Sequence, residues 1–477
     1  MRALLGFVGL QGLLALSGVG LLRAMGLLSA DVRSVLLGLG PAWLAGTAMV
    51  GLVLVQLLVV GVPFTLVTVA FVTIAVAVVA LTLATRRGWR AADRAAGVRA
   101  AASPRAMRLV RVATAVAAGY AVFGAYALAR APTIEDDARI WSLKGLALSY
   151  HDSLRPEIFL NPWLHVDHSV YPLFQPVLEA VLSRAMGQPQ LRLFHTELWL
   201  LLIGAIWTAG YLLWWRCARP LREQLGVALL ALVALTPAAV SNISSGHADA
   251  SGAVVLAIGA LTLGLWIERG GNAHLWLAAL LLGTAANIKD EDMVGAVGVF
   301  LAAGVVLLCG ADRRRLWPWL AGSGLCAAVI LPWRIWTGIH HLHDAVTPPL
   351  PRALTPGFLL GRTHELRRVG DALLTHSVSE WGWAVAIFAV VCVVCLAIKV
   401  SRRLTAFYLL SVLWIIVALA WIYGTTPVNL SLIIPRSLGR TVDVFMMLCA
   451  FASAHLLTAL LTKRGGRTAR AGAGDGR

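Results

Sequence analysis

Charge is scarce in this chain of 477 residues: 13% of positions are Asp, Glu, Lys or Arg, against roughly 25% in an ordinary soluble domain. Lysine is scarcer still, with only Lys144, Lys289, Lys399 and Lys463. No glycine-rich phosphate loop is present, so a nucleotide site of the usual kind is not expected. No internal repeat is visible, which argues against the duplicated plan of many transporters. The six cysteines, Cys217, Cys309, Cys326, Cys392, Cys395 and Cys449, all lie in or beside apolar runs. Cys392 and Cys395 stand as CxxC, but no second pair or nearby histidine completes a metal site. The first apolar run lacks a basic leading segment and a clear cleavage site, so it does not read as a secretory signal.

What fills the chain instead is hydrocarbon. Hydrophobic residues make up 59% of it, and the mean hydropathy is +0.79. Apolar runs of about 18 to 22 residues recur, each long enough to cross a hydrocarbon core of ~30 Å as a helix. The expected spans lie near 3–23, 36–60, 63–84, 110–130, 193–215, 225–243, 249–267, 274–288, 293–309, 316–335, 383–400, 405–423 and 440–461. The expectation is thus an all-α integral membrane protein of about thirteen transmembrane helices.

The net charge of +17 does not indicate nucleic acid, because the arginines cluster between apolar runs. One linker holds Arg86, Arg87, Arg90, Arg94, Arg99, Arg105, Arg108 and Arg111. Later alternate loops hold Arg216, Arg219 and Arg222, then Arg269, then Arg313 to Arg315, then Lys399, Arg402 and Arg403. The tail holds Lys463, Arg464, Arg467 and Arg470. With thirteen spans all of these share one side, which the positive-inside rule makes cytoplasmic. The N-terminus is then outside and the C-terminus inside. The chain divides into three parts: an N-terminal three-helix extension with its basic linker at 1–109, a transmembrane domain carrying the long external loops at 110–462, and a basic tail at 463–477. External loops at 131–192 and 336–382 are long and mixed in charge, which favours function over mere connection. The first is expected to carry short surface helices.

Five external segments carry chemistry-bearing residues. In Glu135-Asp136-Asp137-Ala-Arg139-Ile-Trp141-Ser-Leu-Lys144, the acids suit a helix N-terminus. The residues after the acids read as an amphipathic surface helix, with Arg139 and Lys144 toward headgroups. Tyr171-Pro-Leu-Phe-Gln-Pro176-Val-Leu-Glu179-Ala contains a proline able to start a helix. In Ser245-Gly246-His247-Ala248-Asp249 the acid suits a helix cap. Asn287-Ile-Lys289-Asp290-Glu291-Asp292 is a tight turn whose lysine, surrounded by acids, is held charged and suits a phosphate. Pro435-Arg436-Ser437-Leu438-Gly439-Arg440 brings two arginines to an apolar helix, where ionisable groups are costly and arginine binds phosphate bidentately. His165-Val-Asp167-His168, and the group His340, His341, His343 and Asp344, suit ordinary loop and interface contacts better than a metal. No metal ligands are assigned.

In order and together, these segments resemble bacterial multi-pass glycosyltransferases of the GT-C fold, relatives of protein O-mannosyltransferases and lipid A aminoarabinose transferase. More closely, they resemble a branch with three extra N-terminal helices. Its D-A-x-x-I-W-x-x-K-A stretch is similar to Asp137 through Gly145, which has one residue fewer between Ala138 and Ile140, and its Y-P-L-x-x-P-x-L-E-A corresponds to Tyr171 through Ala180. Its G-Y-A-D corresponds to Gly246-His247-Ala248-Asp249, its K-N-E-G to Lys289-Asp290-Glu291-Asp292, and its T-S-x-D-R to Arg436 through Arg440. Asp292 stands where the branch has glycine, Gly439 where it has an acid, and Arg436 where it has a small polar residue.

The resemblance implies an inverting glycosyltransferase. It would move a sugar from a polyprenyl-phosphate donor to a lipid, glycan or protein acceptor outside a bacterial inner membrane. Asp137 would be the base, with Asp136 its rival. Lys289, Arg440 and Arg436 would hold the donor phosphate. Glu291, His247, Asp249, Tyr171, Trp141 and Lys144 would line the cavity. No cofactor is assigned, although the acidic cluster leaves a divalent cation open. The alternatives are a transporter or flippase, and an O-antigen-ligase-like enzyme using His364, Arg362, Arg367 and Arg368.

Overall fold

A backbone in hydrocarbon must satisfy its own hydrogen bonds, which restricts apolar runs of this kind to helices. The computed structural model describes residues 2–29, 31–86, 118–130, 138–160, 168–189, 191–214, 237–310, 312–342 and 355–471, and among these all regular structure is helical. Nine helices among the described residues are long and apolar enough to cross a membrane. A tenth is added if Thr363–Ala397, bent by 95° between Glu380 and Gly382, counts as one span. The chain is therefore an all-α multi-pass membrane protein.

Three expected spans are not among these ten. The run at 274–288 forms a helix of only 15 residues, Asn272–Ala286, about 22 Å long at 1.5 Å per residue. That falls short of a ~30 Å core. The runs at 110–130 and 225–243 lie partly outside the described residues. Their described portions include the short helices Ala118–Leu128 and Pro237–Ser244.

The principal helices are α1 (Arg2–Met25), α2 (Leu39–Val59), α3 (Leu66–Arg86), α4 (Leu143–Tyr150), α5 (Pro156–Leu160), α6 (Phe174–Met186) and α7 (Leu191–Trp214). They continue with α8 (Ala248–Arg269), α9 (Asn272–Ala286), α10 (Asp290–Leu308), α11 (Leu316–Ile339), α12 (Thr363–Ala397), α13 (Arg402–Thr425) and α14 (Asp443–Ala471).

Helix α8 is the axis of the bundle. It is apolar on every side, the pattern of a helix with no lipid or water face, and every residue from Ala248 to Ile267 is buried. Helices α7, α9, α10, α13 and α14 pack around it. Small residues let neighbours approach, as is usual between membrane helices. A Cβ on Gly264 would lie 2.6 Å from the Tyr408 hydroxyl.

The N-terminal three-helix group is joined to this body. Helices α1 and α2 meet backbone to backbone, since a Cβ on Gly18 would lie 1.6 Å from the Ala42 carbonyl oxygen. Gln11 on α1 ties both partners by hydrogen bonds, to Glu197 of α7 (2.7 Å) and from the Trp43 indole of α2 (2.6 Å). Helix α2 also packs on α6, α9 and α11.

Two helices of the first long loop, α4 and α6, are packed into the protein rather than lying on its surface. Lys144, Gly145 and Leu148 of α4 are buried, as is every residue from Phe174 to Ser183 of α6. Helix α6 is covered by α1, α2 and α4, a contact that hydropathy within the loop cannot reveal.

The helix directions separate two ends of the bundle. Asp249, Lys289 and Arg440 share one end. The other holds Arg269, Arg313 to Arg315, Arg402 and Arg403, with the Arg315 guanidinium donating to the Trp266 and Ile267 carbonyls at the far end of α8.

Candidate functional site

Two tight connections build the site. Helix α9 ends at Ala286, and the Asn287 side chain donates to the carbonyls of Gly283 (2.8 Å) and Val329 (3.1 Å). Pro332 lies inside α11 three residues beyond that acceptor, and a helix-interior proline leaves carbonyls of the preceding turn open to other donors. The Asn287 carbonyl in turn accepts the Phe174 amide (3.0 Å). The turn is thereby fastened to α11 and α6. Extended Lys289 precedes α10, whose first turn carries Asp290, Glu291 and Asp292, acids favoured at a helix N-terminus. The second connection enters α8. Gly246 takes φ +80°, open to glycine without strain, and its carbonyl accepts Gln175 Nε2 (3.0 Å). His247 precedes the helix and Asp249 sits in its first turn.

These connections place opposite charges together out of water. Lys289 Nζ lies 2.5 Å from Asp249 Oδ1 and 3.4 Å from Glu291 Oε1, and all three side chains are 6–7% exposed. Arg440 Nε lies 3.9 Å from the other Asp249 oxygen. An Arg440 N–H also donates to His247 Nε2. Arginine has no acceptor, so that imidazole nitrogen must be the acceptor and the ring proton lies on Nδ1. Burial works against the charge on Lys289, but Asp249 and Glu291 outweigh it and hold the ammonium above the ordinary lysine value. Asp249 thus gathers two cations rather than capping its helix.

The loop before α6 forms the adjoining wall. The Tyr171 hydroxyl donates to Glu291 Oε1 (3.4 Å). The Tyr171 ring packs against Trp141 (5.5 Å between centroids) and stacks on His168 (4.6 Å). Lys144 Nζ donates to the His168 carbonyl at 2.8 Å. Its ammonium is buried in this wall, not turned to headgroups as the amphipathic reading expects, because α6 closes over α4.

Asp292 has a different environment. It is completely buried, and among the described residues neither carboxyl oxygen has a hydrogen-bond partner. A Cβ on Gly252 would lie 1.8 Å from its Oδ2. Gly252→Ala is therefore expected to destabilise the protein by about 1–3 kcal/mol through overpacking, read as a lower melting temperature in detergent. Adding Asp292→Ala removes the clash, so the double variant should melt no lower than Asp292→Ala alone. A Gly252→Ala protein that melts like the parent would contradict this packing.

The five sequence segments thus meet. Trp141 and Lys144, Tyr171, His247 and Asp249, Lys289 and Glu291, and Arg440 form one connected set. Asp136 and Asp137 lie outside the described residues, as do His165, Asp167, His343 and Asp344. Arg436 falls in the helical turn Ile434–Leu438 ahead of Arg440. Of the arginines of the ligase-like alternative, Arg362 faces Glu365 (3.9 Å) and Arg368 donates to Ser431 (3.1 Å). Among the described residues no group of three or more His, Cys, Asp or Glu side chains is placed to hold a metal ion.

Sequence reasoning missed several neighbours. Arg334 pairs with Asp290. Asn242 donates to Asp443 (2.6 Å). Tyr423 contacts Ser437 (2.8 Å) and Thr441 (2.7 Å). Arg334 and Asp443 both stand inside expected apolar spans, and an ionisable residue at such a position is itself a signal.

No family model matches this chain, and no curated protein or solved structure matches it. What the site and fold define is a multi-pass helical membrane protein with a buried, mixed-charge cluster at one end of the bundle.

Proposed function

We propose that the protein is an inverting glycosyltransferase using a polyprenyl-phosphate-linked sugar at the non-cytoplasmic face of a bacterial cell membrane. The observation carrying this reading is the meeting of Lys289 and Arg440 on one buried carboxylate, Asp249. Two fixed cations in a low-dielectric site stabilise charge that develops on a leaving phosphate. The arginine-rich opposite end supports the sidedness, because basic loops stay in the cytoplasm.

The reaction needs three things from the chain. A carboxylate, assigned to Asp137 with Asp136 as rival, takes the proton from the acceptor hydroxyl. The hydroxyl oxygen forms a bond to the anomeric carbon from the face opposite the phosphate. The bond from that carbon to the phosphate oxygen breaks, and the lipid phosphate leaves with the electron pair toward Lys289 and Arg440. Glu291, held by Tyr171, orients Lys289.

The bend in α12 favours a second reading, a transporter or flippase, because broken helices are common in transporters. The two are separated in liposomes holding the purified full chain. Incubation with undecaprenyl-phosphate-linked mannose, glucose or arabinose, with a mixed glycan and lipid acceptor pool, should release undecaprenyl phosphate and form a product of inverted configuration. Movement of the lipid-linked sugar across the bilayer without cleavage would overturn the transferase reading.

A further inference from the structure

The geometry points to a saccharide-binding subsite on α11, where one pyranose ring lies against Trp336 and His340 at the rim of the charged cluster. This deepens the glycosyltransferase reading and rests on it for its role in catalysis, but the binding itself can be tested separately.

Helix α11 has two unlike faces. Leu331, Ile335 and Ile339, four residues apart, are 52%, 56% and 66% exposed and form its outer face. Trp333, Trp336 and His340 occupy the other face and make a continuous aromatic ladder. The Trp333 and Trp336 rings stack 5.2 Å apart at 12°, and His340 lies 4.4 Å beyond Trp336. Phe159 of α5 meets Trp336 at a steep interplanar angle, 70°, with centroids 5.9 Å apart.

The inner end of the ladder is anchored to the site. The Trp333 indole donates to the Val170 carbonyl (2.8 Å), one residue before Tyr171. Arg334 pairs with Asp290, one residue after Lys289. The ladder therefore leads outward from the residues assigned to the phosphate. Membrane-belt tryptophans look different. Trp317, at the opposite end of the same helix, is 78% exposed and fits the interfacial role. Trp333 is 1% exposed, while Trp336 and His340 at the outer end of the ladder are half-buried.

The outer end of this aromatic ladder, closed by the imidazole of His340, matches a sugar's two surfaces. The axial C–H groups of a pyranose form an apolar, slightly positive face that suits the negative face of an aromatic ring. Its hydroxyls need donors and acceptors at the edge, and the His340 ring nitrogens, beside Trp336, can supply them.

The test uses the purified full chain in lauryldimethylamine oxide, a detergent with no sugar headgroup. Saturation-transfer NMR is recorded with methyl α-mannopyranoside, methyl β-glucopyranoside and methyl β-galactopyranoside as probes. The expected result is transfer to the ring C–H protons of at least one glycoside. The signal should fall at least about five-fold in Trp336→Ala and persist in Trp336→Phe, which keeps a ring face. His340→Ala, at the end of the ladder, should weaken it too and serves if Trp336→Ala does not fold. No signal from the parent protein, or equal signals from the parent and the folded alanine variant, would overturn the subsite. Its failure is distinct from that of the transferase reading. Glycoside binding without sugar transfer leaves the subsite and removes the enzyme. Transfer that is indifferent to Trp336→Ala, without glycoside binding, does the reverse.

Discussion

Lys289→Met should cost the protein about 3–5 kcal/mol of stability and all measurable sugar transfer. The size reflects the charges left behind. Asp249 and Glu291 would stay buried at 6–7% exposure, and removing one partner of a buried ion pair costs that much because the other charge is left uncompensated. Arg440 approaches Asp249 only at 3.9 Å and cannot replace a partner at 2.5 Å. The double variant Lys289→Met/Asp249→Asn replaces charges with neutral groups of similar shape and should recover much of the stability. It should recover none of the transfer, since the phosphate loses a fixed cation. The pH dependence has a definite sign. Lys289 is held charged above the ordinary lysine value, so its contribution is fully present below that ordinary value and lost only as pH rises through the folded one. The gap in melting temperature between parent and Lys289→Met should therefore not shrink between about pH 7 and about pH 9. A single variant that melts like the parent would contradict the buried pairing.

Arg440→Ala should behave differently, with a loss of about 10²–10³ in turnover and a smaller loss of stability. Its side chain is 23% exposed, so water screens part of what it contributes. Asp249 also keeps Lys289 as partner. Arg440→Lys restores the charge but not the planar fork by which a guanidinium can meet two phosphate oxygens, and should recover only part of the rate. The His247 contact adds a check. Without the guanidinium N–H, His247 Nε2 loses its donor, so His247→Ala in the Arg440→Ala background should add little further loss. Initial rates at saturating donor measure the turnover and melting temperatures the stability, and full turnover by Arg440→Ala would remove the phosphate role.

Much of this arrangement is legible in the sequence, and the reasons are physical. The Lys289 turn is visible because four charged residues interrupt two apolar runs, a cost that needs compensation. Asp249 is visible because it opens an apolar helix, although its partner is not: Lys289 lies 40 residues away, and the pairing depends on the packing of α8 against α9 and α10. Burial of Lys144 is the clearest misreading. The stripe of Ile140, Leu143, Ala147 and Leu148 is the same whether its partner is lipid or another helix, and only the placement of α6 distinguishes them. The run at 274–288 shows the same limit. Continuous hydropathy suggests a full span, whereas Gly271 and Asn287 confine the helix to 15 residues. Asp292 stands out in sequence as a departure from a glycine, but its contact with Gly252 comes only from the close approach of α8 and α10.

The central claim, that Lys289 and Arg440 receive the phosphate of a lipid-linked sugar, is tested most directly by native mass spectrometry of the purified full chain. Undecaprenyl phosphate and undecaprenol compete as ligands, and the same measurement is made on Arg440→Ala. The account predicts that the phosphate form is retained in strong preference to the alcohol, and that the preference falls at least about ten-fold in the variant, roughly 1.4 kcal/mol. Equal retention of the two lipids, or a preference unchanged by Arg440→Ala, would contradict it.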